Sequence, residues 1–251
     1  MVFCGMAIYC NDPFYLRAIL TIVLMFLVLF VSVYKRKLTP AAGGTAFILG
    51  MVVMNGTGFT GIAMMLAFFA MGVAATAHKR SLKRSITAGA PHTEERTALQ
   101  VLANGGVAGI CSLPAFVDRS HTLLYVFLAA GSLASAAADT LSSELGTVYG
   151  KRFVNVLTGK KEARGLDGVI SLEGTVAGIA GAFVIASIFG VVYGFNRMFL
   201  FIVIAGFIGN LFDSILGATL ERRRYIGNNL VNALNTAMGA IVAWLLQLAF
   251  G

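Results

Sequence analysis

Three carboxylates in this chain sit where a carboxylate is costly. Asp139 and Glu144 lie in residues 136–150, read Ala-Ala-Ala-Asp-Thr-Leu-Ser-Ser-Glu-Leu-Gly-Thr-Val-Tyr-Gly, at the end of an apolar run that starts near Leu123. Asp213 lies in a second apolar run, residues 198–220. A charge at membrane depth costs about 2.5–3.5 kcal/mol on insertion scales and marks a functional site by default. On an ideal helix Ser132, Ser135, Asp139, Ser142, Ser143 and Gly146 share one direction within about 60°, a small polar stripe suited to a protein or water-facing surface. Glu144 lies about 140° away from Asp139 on the same wheel. The two would meet only if the helix broke, and Gly146 and Gly150 offer an early end. The plainer alternative is a polar packing seam between helices.

Other polar groups recur at helical spacing. Arg96, Gln100 and Asn104 stand at i, i+4 and i+8 of an apolar segment whose start Thr93 would cap. Gly206, Gly209, Asn210, Asp213 and Gly217 share a face, with Ser214 beside Asp213 and Glu221 and Arg224 continuing that face. Asn228, Asn232, Asn235 and Thr236 form a stripe at the start of the last apolar segment. Between them runs a basic, glycine-rich loop holding Lys160, Lys161, Arg164, Asp167, Gly168 and Ser171. Glycine-freed backbone N–H groups, basic side chains and a helix start make an anion cradle, although no Walker A or Rossmann pattern is present.

The elements that must position these groups are membrane helices. The chain has 251 residues, 58% hydrophobic and 12% charged, with a mean hydropathy of +0.84. A soluble domain carries about 25% charged residues. Eight apolar segments are read at 16–34, 41–54, 58–77, 97–117, 122–146, 173–193, 198–220 and 230–250, the second of them short. The expectation is an all-α polytopic bundle forming one membrane-embedded domain over residues 1–251. All Lys and Arg except Arg17, Arg119 and Arg197 then fall on one side. By the positive-inside rule that side is cytoplasmic, both termini are extracytoplasmic, and the main cytoplasmic loops are 78–96 and 147–172. The net charge of +8 is thereby explained without nucleic acid. Cys4, Cys10 and Cys111 and three His show no metal spacing. The first apolar run is followed by Lys35-Arg36-Lys37 and not by a small-residue cleavage site, so no cleavable signal is expected.

Inward carboxylates, basic side chains and amides at one membrane face suit Mg²⁺ with phosphates, since Mg²⁺ takes oxygen ligands and usually shares them with substrate phosphates. An apolar space between helices suits a lipid chain. This describes a lipid-phosphate enzyme without fixing its reaction. A transporter of an anionic metabolite or ion and a non-catalytic scaffold remain open on the same residues.

Four stretches resemble the integral-membrane family of transmembrane protein 19 and plant phytyl-phosphate kinase. They are Arg96-Thr-Ala-Leu-Gln-Val-Leu-Ala-Asn-Gly-Gly, Ala138-Asp-Thr-Leu-Ser-Ser-Glu-Leu-Gly, Asp167-Gly-Val-Ile-Ser-Leu-Glu-Gly-Thr and Gly209-Asn-Leu-Phe-Asp-Ser-Ile-Leu-Gly-Ala-Thr. Leu166 and Val169 stand where the family loop has Thr and Gly. The resemblance implies a nucleotide-dependent kinase, with CTP as donor, that converts phytyl or geranylgeranyl monophosphate to the diphosphate. It would work in the cell membrane with its site facing the cytoplasm. A prenol acceptor, or another CTP-linked lipid-phosphate enzyme, is the alternative.

In that chemistry Asp139 and Asp213 would hold Mg²⁺, and Glu144 would hold it through water or hold a second ion. Lys160, Lys161 and Arg164 would take nucleotide phosphates and Arg96 the prenyl phosphate. Gln100, Asn104, Ser143, Asp167, Gly168, Ser171, Asn210, Ser214, Asn228, Asn232 and Asn235 would line the substrate sites.

Overall fold

The computed structural model describes residues 13–86 and 95–251. Long apolar segments fold as helices because lipid offers no partner for a free backbone N–H or C=O. They are α1 (Pro13–Tyr34), α2 (Pro40–Ala77), α3 (Arg80–Ile86), α4 (Ala98–Ser112), α5 (Thr122–Tyr149), α6 (Leu172–Tyr193), α7 (Arg197–Leu216) and α8 (Asn228–Phe250). A 3₁₀ turn (Leu113–Phe116) extends α4, and a π turn (Gly217–Glu221) ends α7. Strands β1 (Val154–Asn155) and β2 (Val169–Ile170) pair antiparallel in the loop after α5. Among the described residues, seven helices are long and apolar enough to cross a membrane.

α2 is longer than one crossing. Its 38 residues would reach about 57 Å if straight, against a hydrocarbon core of about 30 Å. Gly58 breaks it with φ +67° and ψ −157°, a region occupied essentially only by glycine, where an L side chain costs about 1–3 kcal/mol. The two limbs fold back on each other. Thr39 N–H donates to Arg96 O at 3.1 Å, while a Cβ on Gly72 would lie 2.6 Å from Arg96 Nη2. The two ends of α2 therefore meet the same residue. The bend meets the far end of α4: a Cβ on Gly56 would lie 2.1 Å from Ser112 O, and Arg119 Nη1 donates to Asn55 O at 2.8 Å. The segments expected at 41–54 and 58–77 are the two limbs of this hairpin, each as deep as α4.

α5 is the central post. Ala129, Ala130, Leu133, Ala134, Ala136, Ala137 and Ala138 are all buried, as are Ser132 and Ser135 between them. Small side chains let backbones approach closely, which drives helix association in lipid. A Cβ on Gly209 of α7 would fall on Ser135, and one on Gly239 of α8 would lie 2.5 Å from Gly131 O. Towards the other end of α5, Phe127 meets Phe189 of α6 with ring centroids 6.0 Å apart and planes tilted by 58°, and both are fully buried.

Thr93 lies outside the described residues. The cap of α4 is Thr97, whose Oγ1 accepts from Gln100 N at 3.4 Å while Gln100 Oε1 accepts from Thr97 N at 2.8 Å. This reciprocal pair satisfies two free donors of the helix start.

Candidate active site

One cavity of about 500 Å³ opens at the face where α2 begins and ends, α4 and α8 begin, and α5 and α7 end. Asp139 from the last turns of α5 and Asp213 from the last turn of α7 both line it. Their carboxyl groups are close enough to interact with each other. Asp213 Oδ1 is buried with no hydrogen-bond donor. Asn235 of α8 stands behind this pair. Its Oδ1 accepts from Ser135 Oγ, and its Nδ2 is buried with no acceptor. Two facing carboxylates repel unless a cation or a proton lies between them. All of these donors are hard oxygens, the set Mg²⁺ prefers. Among the described residues no three His, Cys, Asp or Glu come close enough to hold a metal alone. A divalent cation here would complete its shell with oxygens from a bound molecule, as Mg²⁺ does with phosphates.

Arg96 lines the same cavity with Gln100 and Asn104. Its guanidinium fits because Gly72 has no side chain. Burial holds it below its ordinary pKa, with the charge of Glu144 acting the other way. Among the described residues it has no ion-pair partner within salt-bridge range. A half-buried guanidinium without a counter-ion is a receptor for a planar oxyanion, which it can grip with two parallel N–H bonds. Asn104 Nδ2 donates to Gln100 O at 2.9 Å, and its Oδ1 is buried without a donor.

Glu144 does not join Asp139. α5 runs unbroken to Tyr149, and Gly146 serves packing: a Cβ there would lie 2.9 Å from Gly174 Cα. Glu144 turns instead to the end of α2 and to α3. It accepts from Thr76 Oγ1 at 2.8 Å and from Lys83 Nζ at 2.5 Å. Lys83 Nζ also donates to Ala75 O at 2.6 Å, a positive charge at a helix C-terminus.

The loop after α5 departs from its expected role. Asn155 Oδ1 accepts from Leu157 N and Thr158 N at 2.9 and 3.1 Å, and its Nδ2 donates to Glu162 Oε1 at 3.0 Å. Arg222, just past the π turn of α7, pairs with Glu162 at 2.5 Å and donates to Asp167 O at 2.6 Å. This partnership lowers the pKa of Glu162 and raises that of Arg222. Gly168, at φ +72°, lies against Ala218, where a Cβ would come within 2.3 Å. The buckled loop delivers Asp167 and Gly168 to the cavity wall and turns Lys160, Lys161 and Arg164 outward, exposed and off that wall.

Ser143, Ser171, Asn210, Ser214, Asn228 and Asn232 also line the cavity. Some of their polar atoms are engaged locally. Ser171 Oγ caps α6 by accepting from Gly174 N at 3.1 Å, Ser143 Oγ donates to Thr140 O and Ser214 Oγ to Asn210 O, both at 3.2 Å, and Asn228 reaches Glu221. Lys37, Arg80, Lys83 and Thr76, which the sequence pattern did not mark as site residues, also line the cavity, as do Thr140 and Glu221. The basic ones had counted only toward topology; their clustering with Arg96 was the available signal.

Residues 23–240 match the family described as integral membrane protein DUF92. The chain belongs to that family. An uncharacterized membrane protein of Synechocystis is 31% identical over 213 residues, 83% of this chain and 82% of the relative. Protein VTE6, chloroplastic, of Arabidopsis thaliana is 30% identical over 218 residues, 84% of this chain and 65% of the relative. An uncharacterized membrane protein of Methanocaldococcus jannaschii is 31% identical over 204 residues, 79% of this chain and 81% of the relative. No solved structure matches this DUF92 member.

Proposed function

We propose that this protein is a membrane phosphotransferase that passes the γ-phosphoryl group of a nucleoside triphosphate, CTP by the resemblance, to a prenyl monophosphate at the cytoplasmic face. The observation that carries the reading is one cavity lined both by the carboxylates Asp139 and Asp213 and by Arg96, which has no ion-pair partner among the described residues. A carboxylate pair suits a phosphate-bound cation and a guanidinium suits a second phosphate, so two phosphorylated molecules can be held side by side. The motif likeness to plant phytyl-phosphate kinase supports the same reaction. The buried Phe127 and Phe189 towards the other end of α5 favour an enzyme open to one side over a transporter.

In this reaction an ionised oxygen of the prenyl phosphate attacks the γ-phosphorus. The new P–O bond forms as the bond to the β-phosphate oxygen breaks, and the nucleoside diphosphate leaves with that electron pair. The nucleophile is already an anion, so no base is required. Mg²⁺ would neutralise charge on the nucleotide phosphates, held by Asp139 and Asp213. Arg96 fixes the acceptor phosphate against electrostatic repulsion, which turns a collision of two polyanions into a positioned pair. Lys83 keeps Glu144 engaged in an ion pair. Asp167 and Glu221 present further oxygens at the loop edge.

The test uses purified protein in nanodiscs, Mg²⁺, γ-labelled CTP and a panel of prenyl monophosphates and prenols. Label in prenyl diphosphate supports the proposal. Label entering prenols alone moves the acceptor to the alcohol, and solute uptake without any lipid labelling would replace the kinase by a transporter.

A further inference from the structure

An apolar slot of about 80 Å³ lies between α1, the two limbs of α2 and α4. Met25 and Leu29 of α1, Met65 of α2 and Val101 of α4 are among its walls. Its space exists because Gly50 and Gly105 lack side chains; a Cβ on Gly105 would come within 2.8 Å of Leu49. The slot adjoins the polar cavity, and Arg96, Gln100 and Asn104 line both. The unpaired guanidinium and the unpartnered Asn104 Oδ1 thus stand where an apolar compartment meets a charged one.

α1 is a peripheral helix. It buries Met25 against Val53 and Ile62 of α2, while Leu20 and Leu27 are more than half exposed on its outer face. α1 packs against α2 and not closely against α4, so the flank of the slot between α1 and α4 is its least closed side. A neutral apolar molecule would have no use for Arg96, and a soluble anion would have no use for the slot. A molecule with one anionic head and one hydrocarbon tail matches both halves.

We propose that this slot seats the part of a prenyl monophosphate tail nearest the head, with the phosphate on Arg96, and that the tail arrives from the bilayer between α1 and α4. The inference rests on the lipid-phosphate acceptor proposed above and adds where and how that acceptor sits. A void of about 80 Å³ holds on the order of five to eight water-sized spheres, so it takes only the first isoprene carbons. The remainder of a long tail lies in lipid, and acceptors that differ only in distal length bind alike.

The experiment uses the full chain in nanodiscs and a geranylgeranyl monophosphate carrying a diazirine on the isoprene unit nearest the phosphate. Adducts are mapped by mass spectrometry after irradiation. Expected are adducts at Met25, Leu29, Met65 or Val101, displaced by geranyl monophosphate at least tenfold better than by geraniol. Arg96→Ala should abolish that preference, and Ala46→Phe, which places a ring in the slot wall, should reduce labelling at least tenfold. If Ala46→Phe fails to fold, Val101→Trp replaces it.

Adducts confined to outward residues such as Leu20 and Leu27, absence of adducts in the slot, or equal displacement by phosphate and alcohol would overturn the proposal. Slot adducts without phosphoryl transfer would remove the kinase reading and leave the slot standing. Transfer with adducts elsewhere would do the reverse.

Discussion

Replacing Gly168 by Ala tests how the loop is held. At φ +72° an alanine costs about 1–2 kcal/mol in backbone strain. Its Cβ would also lie 2.3 Å from Ala218 Cβ, 2.4 Å from Ala218 N and 2.5 Å from Ala218 Cα. Backbone cannot yield as a side-chain tip does, and overpacking of this kind costs about 1–3 kcal/mol. The perturbation is therefore roughly 2–5 kcal/mol. Opposing it is the Arg222 latch. A partly exposed ion pair contributes about 0.2–1 kcal/mol, and the hydrogen bond to Asp167 O about 0.5–1.5 kcal/mol. The strain exceeds the latch, so the loop should detach while the bundle stays folded. Hydrogen exchange reads this at Asn155 and Val156, whose amides donate to Lys160 O and Gly168 O at 2.9 and 3.0 Å. Gly168→Ala should raise their exchange at least about 30-fold, a loss of roughly 2 kcal/mol, with an unchanged thermal midpoint of the bundle. Arg222→Ala, which removes the latch alone, should give a smaller rise. Unchanged protection in Gly168→Ala would refute the close approach to α7, and a lowered global midpoint would refute the separation of loop from bundle.

Asp139→Asn and Asp213→Asn should each lower turnover by at least about 10²-fold, the scale for removing one preorganised electrostatic contact, with melting unchanged; full activity in either variant removes that residue from the site. Lys83→Ala leaves a partly buried Glu144 without its cation, and should cost roughly 1–3 kcal/mol of stability. The double variant Lys83→Ala/Glu144→Ala should recover part of that loss in a thermal melt, and strict additivity would show that the pair is not coupled. Joint replacement of Lys160, Lys161 and Arg164 by Ala should change turnover by less than about threefold at physiological salt, since outward charges act mainly on encounter; a loss of a hundredfold or more would return them to the phosphate site.

What could be read from the sequence follows the reach of each interaction. Asp139 and Asp213 were legible as partners because each is a costly carboxylate on a small-residue helix, and lipid leaves few ways to accommodate two of them. The hairpin of α2 was legible as two segments because Asn55-Gly56-Thr57-Gly58 interrupts the apolar pattern. The destination of Glu144 was not, because its partner Lys83 stands 61 residues away on a short helix that hydropathy cannot place. The direction of Lys160, Lys161 and Arg164 depends on a hairpin register set by Asn155, Glu162 and Arg222, and no local periodicity encodes that. Gln100 shows a third limit. The Thr97–Gln100 spacing carries the capping-box pattern, yet the same residue completes a stripe with Arg96 and Asn104, and it serves both.

Phosphoryl transfer at one cavity is the activity that decides the proposed function. Wild-type protein in nanodiscs, given γ-labelled CTP, Mg²⁺ and phytyl monophosphate, should produce labelled phytyl diphosphate and an equal amount of CDP. Omission of the metal or replacement of Arg96 by Ala should suppress both products together. Folded protein that forms no labelled lipid with any nucleoside triphosphate, or that labels it equally well without Arg96, would contradict the central claim.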